Sequence, residues 1–303
     1  MGTRIEMVSI APPLGKRSRR GTISMSKRAA KSCLDLAGIQ PSDLELVIYS
    51  GIYRDDHIGE PSIASLLQKE IGANPTLYPL DERTFSFDLN AGGCGLVNAF
   101  QLIDGFITSG KLKRGMVITG DSEPVRGLSE SFNFGSAASA VILSKSQNGE
   151  GFQLIKTYSF PQYCESFKSY ISWKRKNGRI WKKNVLVVEQ KDTYLHECVE
   201  CCNDSLEKFL EVNGLRLRDI DLILPSQSPT GIVSELEKRL GNPGCLVSVN
   251  SHGRGEIHTS GPAFALRKVW ETGQFQKARN VLFLTVGAGI STAIAWYRKP
   301  GLE

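Results

Sequence analysis

One phrase is written twice in this chain. Gly38-Ile39-Gln40-Pro41-Ser42-Asp43-Leu44-Glu45-Leu46-Val47-Ile48 matches Gly214-Leu215-Arg216-Leu217-Arg218-Asp219-Ile220-Asp221-Leu222-Ile223-Leu224 in its glycine, its aspartate and its apolar positions. A helix-like stretch precedes each copy; in the first, Ala29, Ala30, Cys33, Leu34 and Leu36 supply the apolar face. Glycine ends the helix, and a short apolar run suited to a buried strand follows. Helix, glycine and strand make half a turn of an α/β fold. Later elements recur in the same order. A strand at 85–89, a loop, a helix ending at Gly110 and a strand at 116–119 are echoed by a strand at 245–249, a loop, a helix ending at Gly273 and a strand at 281–285. Each half closes with one more strand, at 139–143 and at 292–297. The expectation is two βα-rich halves with one plan, 1–184 and 185–303.

Residues 149–184 break the plan. They are rich in aromatic and basic residues without clear periodicity, and read as an excursion over the surface, where substrate-gating loops commonly sit. Two basic clusters stand out, Lys16, Arg17, Arg19 and Arg20, then Lys174, Arg175, Lys176, Arg179, Lys182 and Lys183. Such runs are solvated loops in the ordinary case, and otherwise attract a phosphate-bearing cofactor, an acidic carrier protein or nucleic acid. With 41% hydrophobic and 22% charged residues the chain has the composition of a soluble globular protein. No apolar run approaches a membrane span and the start lacks a signal-peptide core, so the cytoplasm is expected, with neither membrane nor nucleic acid as partner. Seven cysteines without regular spacing suggest no disulfide framework. Cys198, Cys201 and Cys202 hold one C-x-x-C spacing on a helical stretch with no second pair, so no metal is expected.

The duplication places two loops opposite one another. Counting back from Gly110 and Gly273 sets Gly93-Cys94-Gly95 against Glu256-Ile257-His258. In a pseudo-twofold arrangement the helices that follow would pack together and both loops would open on one crevice, where ligands of open α/β sheets bind. Cys94 precedes a helix that is apolar on nearly every side, through Leu96, Val97, Ala99, Phe100, Leu102, Ile103, Phe106 and Ile107. A thiol at a helix's first turn feels the positive end of the dipole, which lowers its pKa and favours the thiolate. The competing reading is a small apolar core residue, since free cysteine is often buried. His258 and Glu256 become candidate neighbours of Cys94, the alternative for His258 being a capping or core histidine.

Four stretches in register carry a resemblance. They are Phe87-Asp88-Leu89-Asn90-Ala91-Gly92-Gly93-Cys94-Gly95, Phe134-Gly135-Ser136-Ala137-Ala138-Ser139-Ala140-Val141-Ile142-Leu143, Leu222-Ile223-Leu224-Pro225-Ser226-Gln227 and Val286-Gly287-Ala288-Gly289. Together they resemble β-ketoacyl-acyl-carrier-protein synthase III and its relatives in the thiolase superfamily. The resemblance implies an α/β thiolase fold, two duplicated halves forming a layered αβαβα sandwich. It also implies that Cys94 takes an acyl group from a coenzyme A or acyl-carrier-protein thioester with no permanently bound cofactor. Backbone N–H groups of Cys94 and Ala288 would form the oxyanion hole, with Gly287, Gly289 and Gln227 at the substrate.

Two positions depart from the family. Ser226 stands where it usually reads histidine, and the segment 251–258, where an asparagine is usual, offers Glu256 or Arg254 instead. A carboxylate beside a forming enolate repels it, and a hydroxyl is a poor substitute for an imidazole. The expectation is therefore an acyltransferase of specialised metabolism that loads Cys94 and passes the acyl group to an O-, N- or non-malonyl carbon nucleophile. His258 would be the base and Glu256 its orienting charge. The alternatives are a decarboxylating condensing enzyme with relocated groups, and a non-catalytic partner of an active homologue. Relatives are dimers, so a homodimer or a heterodimer with a homologue is expected. Lys238 and Arg239 are the candidate docking cations for carrier protein or coenzyme A, and Gly231 replaces the usual docking arginine.

Overall fold

The computed structural model describes residues 2–12, 21–74, 83–241, 243–251, 253 and 255–300. The cluster Lys16, Arg17, Arg19 and Arg20, and also Arg254, lie outside the described residues. The first half runs β1 (Thr3–Ala11), α1 (Thr22–Ala37), β2 (Leu46–Tyr49), α2 (Ile63–Ile71), β3 (Phe85–Asp88), α3 (Gly95–Thr108), β4 (Arg114–Asp121), β5 (Ser129–Glu130) and β6 (Ala137–Lys145). Its main sheet has the order β1-β6-β4-β2-β3, with β2 parallel to β3 and β4, and β6 antiparallel to β1 and β4. After it come β7 (Gly151–Ser159), β8 (Phe167–Lys176), β9 (Arg179–Gln190), α4 (Tyr194–Val212), β10 (Leu222–Pro225), α5 (Ile232–Arg239), α6 (Gly261–Glu271), β11 (Asn280–Gly287) and β12 (Ser291–Arg298). The second sheet is β10-β11-β12-β7, and β5-β9-β8 forms a small third one.

The repeated phrase folds alike in both halves. Gly38 and Gly214 end their helices at φ of 66° and 63°, where only glycine sits without strain. Asp43 and Asp219 then each cap a short turn, accepting the N–H of Gln40 at 3.1 Å and of Arg216 at 2.9 Å. Leu46–Tyr49 and Leu222–Pro225 follow as the parallel strands.

Burial explains the layering. Residues of α3 and α6 share one core with the facing sides of both sheets, so these two helices form the middle layer. Helices α1 and α2 cover the outer face of the first sheet, through Met25, Ala29, Cys33, Ile63 and Leu67. Helix α4 and α5 cover the second, through Cys198, Leu206, Phe209 and Leu236. Phe100 and Ile103 in α3 are wholly buried because a middle-layer helix has a sheet on either side, but Leu102 and Phe106, anticipated in the same core, are exposed, so one face of α3 is open.

Two expectations need correcting. The strand anticipated at 245–249 is reduced to a bridge between Ile223 and Leu246, with Ile223 N–H donating to Cys245 O at 2.8 Å and Val247 N–H to Ile223 O at 3.0 Å. The stretch 149–184 is not all surface excursion. Its first part is β7, paired along its length with β12, so these residues complete the second sheet. Only β8 and β9 leave the body, as a twisted antiparallel hairpin.

Candidate active site

A cavity of about 260 Å³ opens where the segment after β2, the turn before α3, the turn between β11 and β12 and the root of the β8–β9 hairpin meet. Gly92 and Gly93 line it from the first half, His258 and Ala288 from the second. The loops before α3 and α6 thus do share one crevice. Tyr53, Phe134, Phe167 and Tyr194 form much of the wall, with the Tyr53 and Phe134 rings stacked 4.9 Å apart. Asn90, Ser169, Gln190 and Ser228 add polar groups.

Cys94 is not part of that lining. Its residue is 2% exposed and belongs to the core between the sheets. Its Sγ lies 3.3 Å from the Ser291 carbonyl and 3.7 Å from that of Thr285, so the thiol proton is directed at backbone oxygens of the second sheet. Burial pushes the thiol up to about 12, the reverse of the shift anticipated from the helix dipole. Its backbone N–H is engaged too, donating to Ala91 O at 3.1 Å within the turn. The residue that meets the cavity is Gly93, one position earlier, and it carries no side chain. A Cβ there would stand 2.1 Å from Val286 O, because the turn lies directly against the end of β11. From the other side, a Cβ on Gly287 would meet Gly93 N at 2.9 Å. Gly289, at φ 107°, allows the tight β11–β12 turn that presents Ala288.

The other anticipated residues have structural partners. Ser226 is 4% exposed and its Oγ accepts the Val286 N–H at 3.0 Å, tying β10 to β11. Gln227 donates to Pro225 O and Val247 O and accepts from Val249 N, which holds the 245–249 segment in place of a regular strand. Glu256 does not orient His258. Its carboxylate accepts from Thr230 N–H at 3.0 Å, Thr230 Oγ1 at 2.7 Å, Asn133 Nδ2 at 2.9 Å and Ser228 Oγ at 2.6 Å. It is the anchor of the loop that carries Ser228 to the cavity. Lys238 and Arg239 are exposed at the end of α5 and pair with Glu235 and Glu200 at 2.8 and 3.2 Å. Cys198, Cys201 and Cys202 are buried on α4, and no cluster fit for a metal occurs among the described residues.

The residue behind His258 is Asp121, which the sequence reading missed. His258 Nδ1 lies 3.4 Å from Asp121 Oδ2, an ion-pair distance at an angle short of a hydrogen bond. Asp121 is 2% exposed at the last position of β4. Its Oδ1 accepts from Ile52 N and Tyr53 N, each at 2.9 Å, and its Oδ2 from the N–H and hydroxyl of Thr259. Burial alone would raise this carboxyl; the neighbouring His258 imidazole and the Thr259 and backbone donors overcome that and hold it below its ordinary value. Its signal in the sequence was a lone acid ending the apolar run Met116-Val117-Ile118-Thr119-Gly120, since the carboxyl ends of strands are where such folds place ligands. The His258 ring packs 4.6 Å from Phe134 and 5.4 Å from Tyr53. With Nδ1 buried toward Asp121, Nε2 is the nitrogen left for the cavity.

The profile of the 3-oxoacyl-[acyl-carrier-protein] synthase III family matches residues 87–160, and that of the family's C-terminal region matches 210–299. The chain belongs to the synthase III-like branch of the thiolase superfamily. Among curated relatives, β-ketoacyl-[acyl-carrier-protein] synthase III of Clostridium perfringens is 24% identical over 286 residues, covering 90% of this chain and 83% of the relative. The enzyme of the same name from Aquifex aeolicus is 26% identical over 273 residues, covering 88% and 81%. The solved synthase III of Aquifex aeolicus superposes with a TM-score of 0.77 at 20% identity, over 98% of this chain and 100% of that one. Xanthomonas campestris OleA, solved with lauric acid and lauroyl-CoA, gives 0.80 at 14% identity over 99% of each. The fold is therefore the thiolase fold, and the coarse class is a condensing or acyl-transferring enzyme of thiolase type. Within that class this synthase III-like chain presents glycine at the cavity and turns its neighbouring cysteine into the core. No helix among the described residues is long and apolar enough to cross a membrane.

Proposed function

We propose that this synthase III-like protein transfers an acyl group directly from a thioester, coenzyme A being the simplest donor, to a hydroxyl or amine acceptor, without an acyl-enzyme on Cys94. One observation carries the reading: His258, backed by buried Asp121, lines the cavity, whereas the Cys94 thiol faces backbone carbonyls outside it. The acyl chain packs along Tyr53 and Phe134. His258 Nε2 takes the acceptor's proton as the acceptor oxygen or nitrogen forms its bond to the thioester carbon. The N–H of Ala288 supports the resulting oxyanion. Collapse of the tetrahedral species breaks the carbon–sulfur bond, and the proton held by His258 passes to the leaving thiolate. Ester or amide and free thiol are the products. Asp121 stabilises the imidazolium between the two proton transfers.

The test is release of free thiol from a panel of short- to long-chain acyl-CoA substrates, with and without hydroxyl and amine acceptors. Acceptor-dependent release by wild type and by Cys94→Ala, lost in His258→Ala, supports the proposal. Release that depends on Cys94, or none with any donor and acceptor, rejects it. A second reading is favoured by Gly93 alone: the chain shapes the cavity of an active homologue. Its mark is thiol release only when that homologue is added.

A further inference from the structure

The hairpin that leaves the body has a composition unlike the rest of the surface. Residues 166–184 hold Lys168, Lys174, Arg175, Lys176, Arg179, Lys182 and Lys183, and no aspartate or glutamate. Tyr170, Ile171, Trp173, Ile180 and Trp181 are exposed, Trp181 to 61%. Tyr170 and Ile171 are neighbours on β8, Ile180 and Trp181 on β9, and strand neighbours point to opposite faces, so apolar side chains stand on both sides of the ribbon. Its root is different: Leu186 and Val188 are buried against Tyr53 and Phe134. Farther out, the Lys182 ammonium lies 4.8 Å from the centre of the Trp181 ring and that of Lys183 5.4 Å from Trp173. Lys168 and Lys174 pair with Glu165 and Glu130, while Arg175, Arg179, Lys182 and Lys183 face no carboxylate among the described residues.

We infer that the outer β8–β9 hairpin docks the protein on an anionic lipid surface. Interleaved tryptophan, tyrosine, lysine and arginine is the composition that settles in a headgroup layer, the rings at the acyl boundary and the cations at phosphates. A folded acidic partner would cover one face of the ribbon and leave apolar side chains bare on the other. A headgroup layer surrounds both. This is surface attachment rather than a span, and it revises the expectation that a membrane is no partner. Phe167, Ser169 and Gln190 at the root line the cavity, so docking sets the cavity beside the bilayer.

Sedimentation of the full chain with vesicles tests this. Binding is expected to equal parts phosphatidylcholine and phosphatidylserine, falling as salt rises, and not to phosphatidylcholine alone. Lys182→Ala with Lys183→Ala should weaken it about 25-fold, at about fivefold per cation. Trp173→Ser with Trp181→Ser should abolish it, and both pairs should keep the far-ultraviolet dichroism and melting temperature of wild type. Absence of binding to the anionic vesicles, or binding that both double variants retain, overturns the inference. So does a hairpin that binds no vesicle and whose variants instead change the oligomer's mass or capture of an acidic carrier protein.

Discussion

Asp121→Asn should cost both stability and turnover, and the structure sets the size of the first effect. Wild-type Oδ1 accepts two backbone N–H groups and Oδ2 accepts the Thr259 N–H and hydroxyl. An asparagine keeps one oxygen. The two bonds it retains lose the charge of their acceptor, a difference of about 1 kcal/mol each. On the other side the new NH₂ meets two donors. The Thr259 hydroxyl escapes by rotating to accept, but a buried N–H facing another donor costs about 1–3 kcal/mol. The sum is about 3–5 kcal/mol, the range expected when one member of a buried charged pair is removed. For a chain of this length it corresponds to a fall in Tm of roughly 5–8 °C, read by scanning calorimetry. Where the variant still folds, His258 loses the carboxylate that stabilises its charged form, so thiol release should fall by about 100-fold or more. A Tm within about 2 °C of wild type would mean that the carboxylate does not hold the Ile52–Tyr53 and Thr259 segments together, and the reasoning would fail.

Acid should expose the same group. Because the folded pKa of Asp121 is depressed below 3.8, its contribution is present above the unfolded value and is lost as pH falls through the folded one. The Tm gap between wild type and Asp121→Asn should therefore hold from neutrality down to about pH 4 and shrink below it; a gap that closes well above this refutes the assignment. Iodoacetamide at neutral pH should label exposed Cys164 and leave Cys94, raised to about 12, unmodified until the protein unfolds, as read by peptide mass mapping. Gly93→Ala should lower Tm by roughly 2–5 °C, since its Cβ at 2.1 Å from Val286 O forces the turn away from β11 at a cost of about 1–3 kcal/mol; an unchanged Tm would mean the turn has room for a side chain.

The architecture was legible because it rests on repeated local signals. Gly38 and Gly214, Asp43 and Asp219, and the apolar runs after them are short-range instructions that act alike in both halves. The meeting of the two loops followed from the same repeat, and Gly93 and His258 do line one cavity. Side-chain direction was not legible in the same way. Adjacent residues entering a helix point about 100° apart, so a shift of one position separates a residue in the cavity from Cys94 in the core. Glu256 and Ser226 were expected at the chemistry because of where they fall in the chain, but their partners come from Thr230, Asn133, Ser228 and Val286, contacts that only packing reveals. Asp121 was overlooked because its partner lies 137 positions away, counted from 121 to 258. The strand at 245–249 failed for another reason: the Gln227 side chain takes up Val247 O and Val249 N, replacing a ladder with side-chain bonds.

The central claim is that acyl transfer here bypasses Cys94 and runs through His258. Intact-protein mass spectrometry during turnover, with wild type and His258→Ala incubated with a donor thioester and quenched in acid, addresses it most directly. The account predicts protein at its unmodified mass in both, with acylated acceptor accumulating only in the wild-type mixture. A wild-type species heavier by one acyl group, mapped to Cys94 and consumed when acceptor is added, would contradict it.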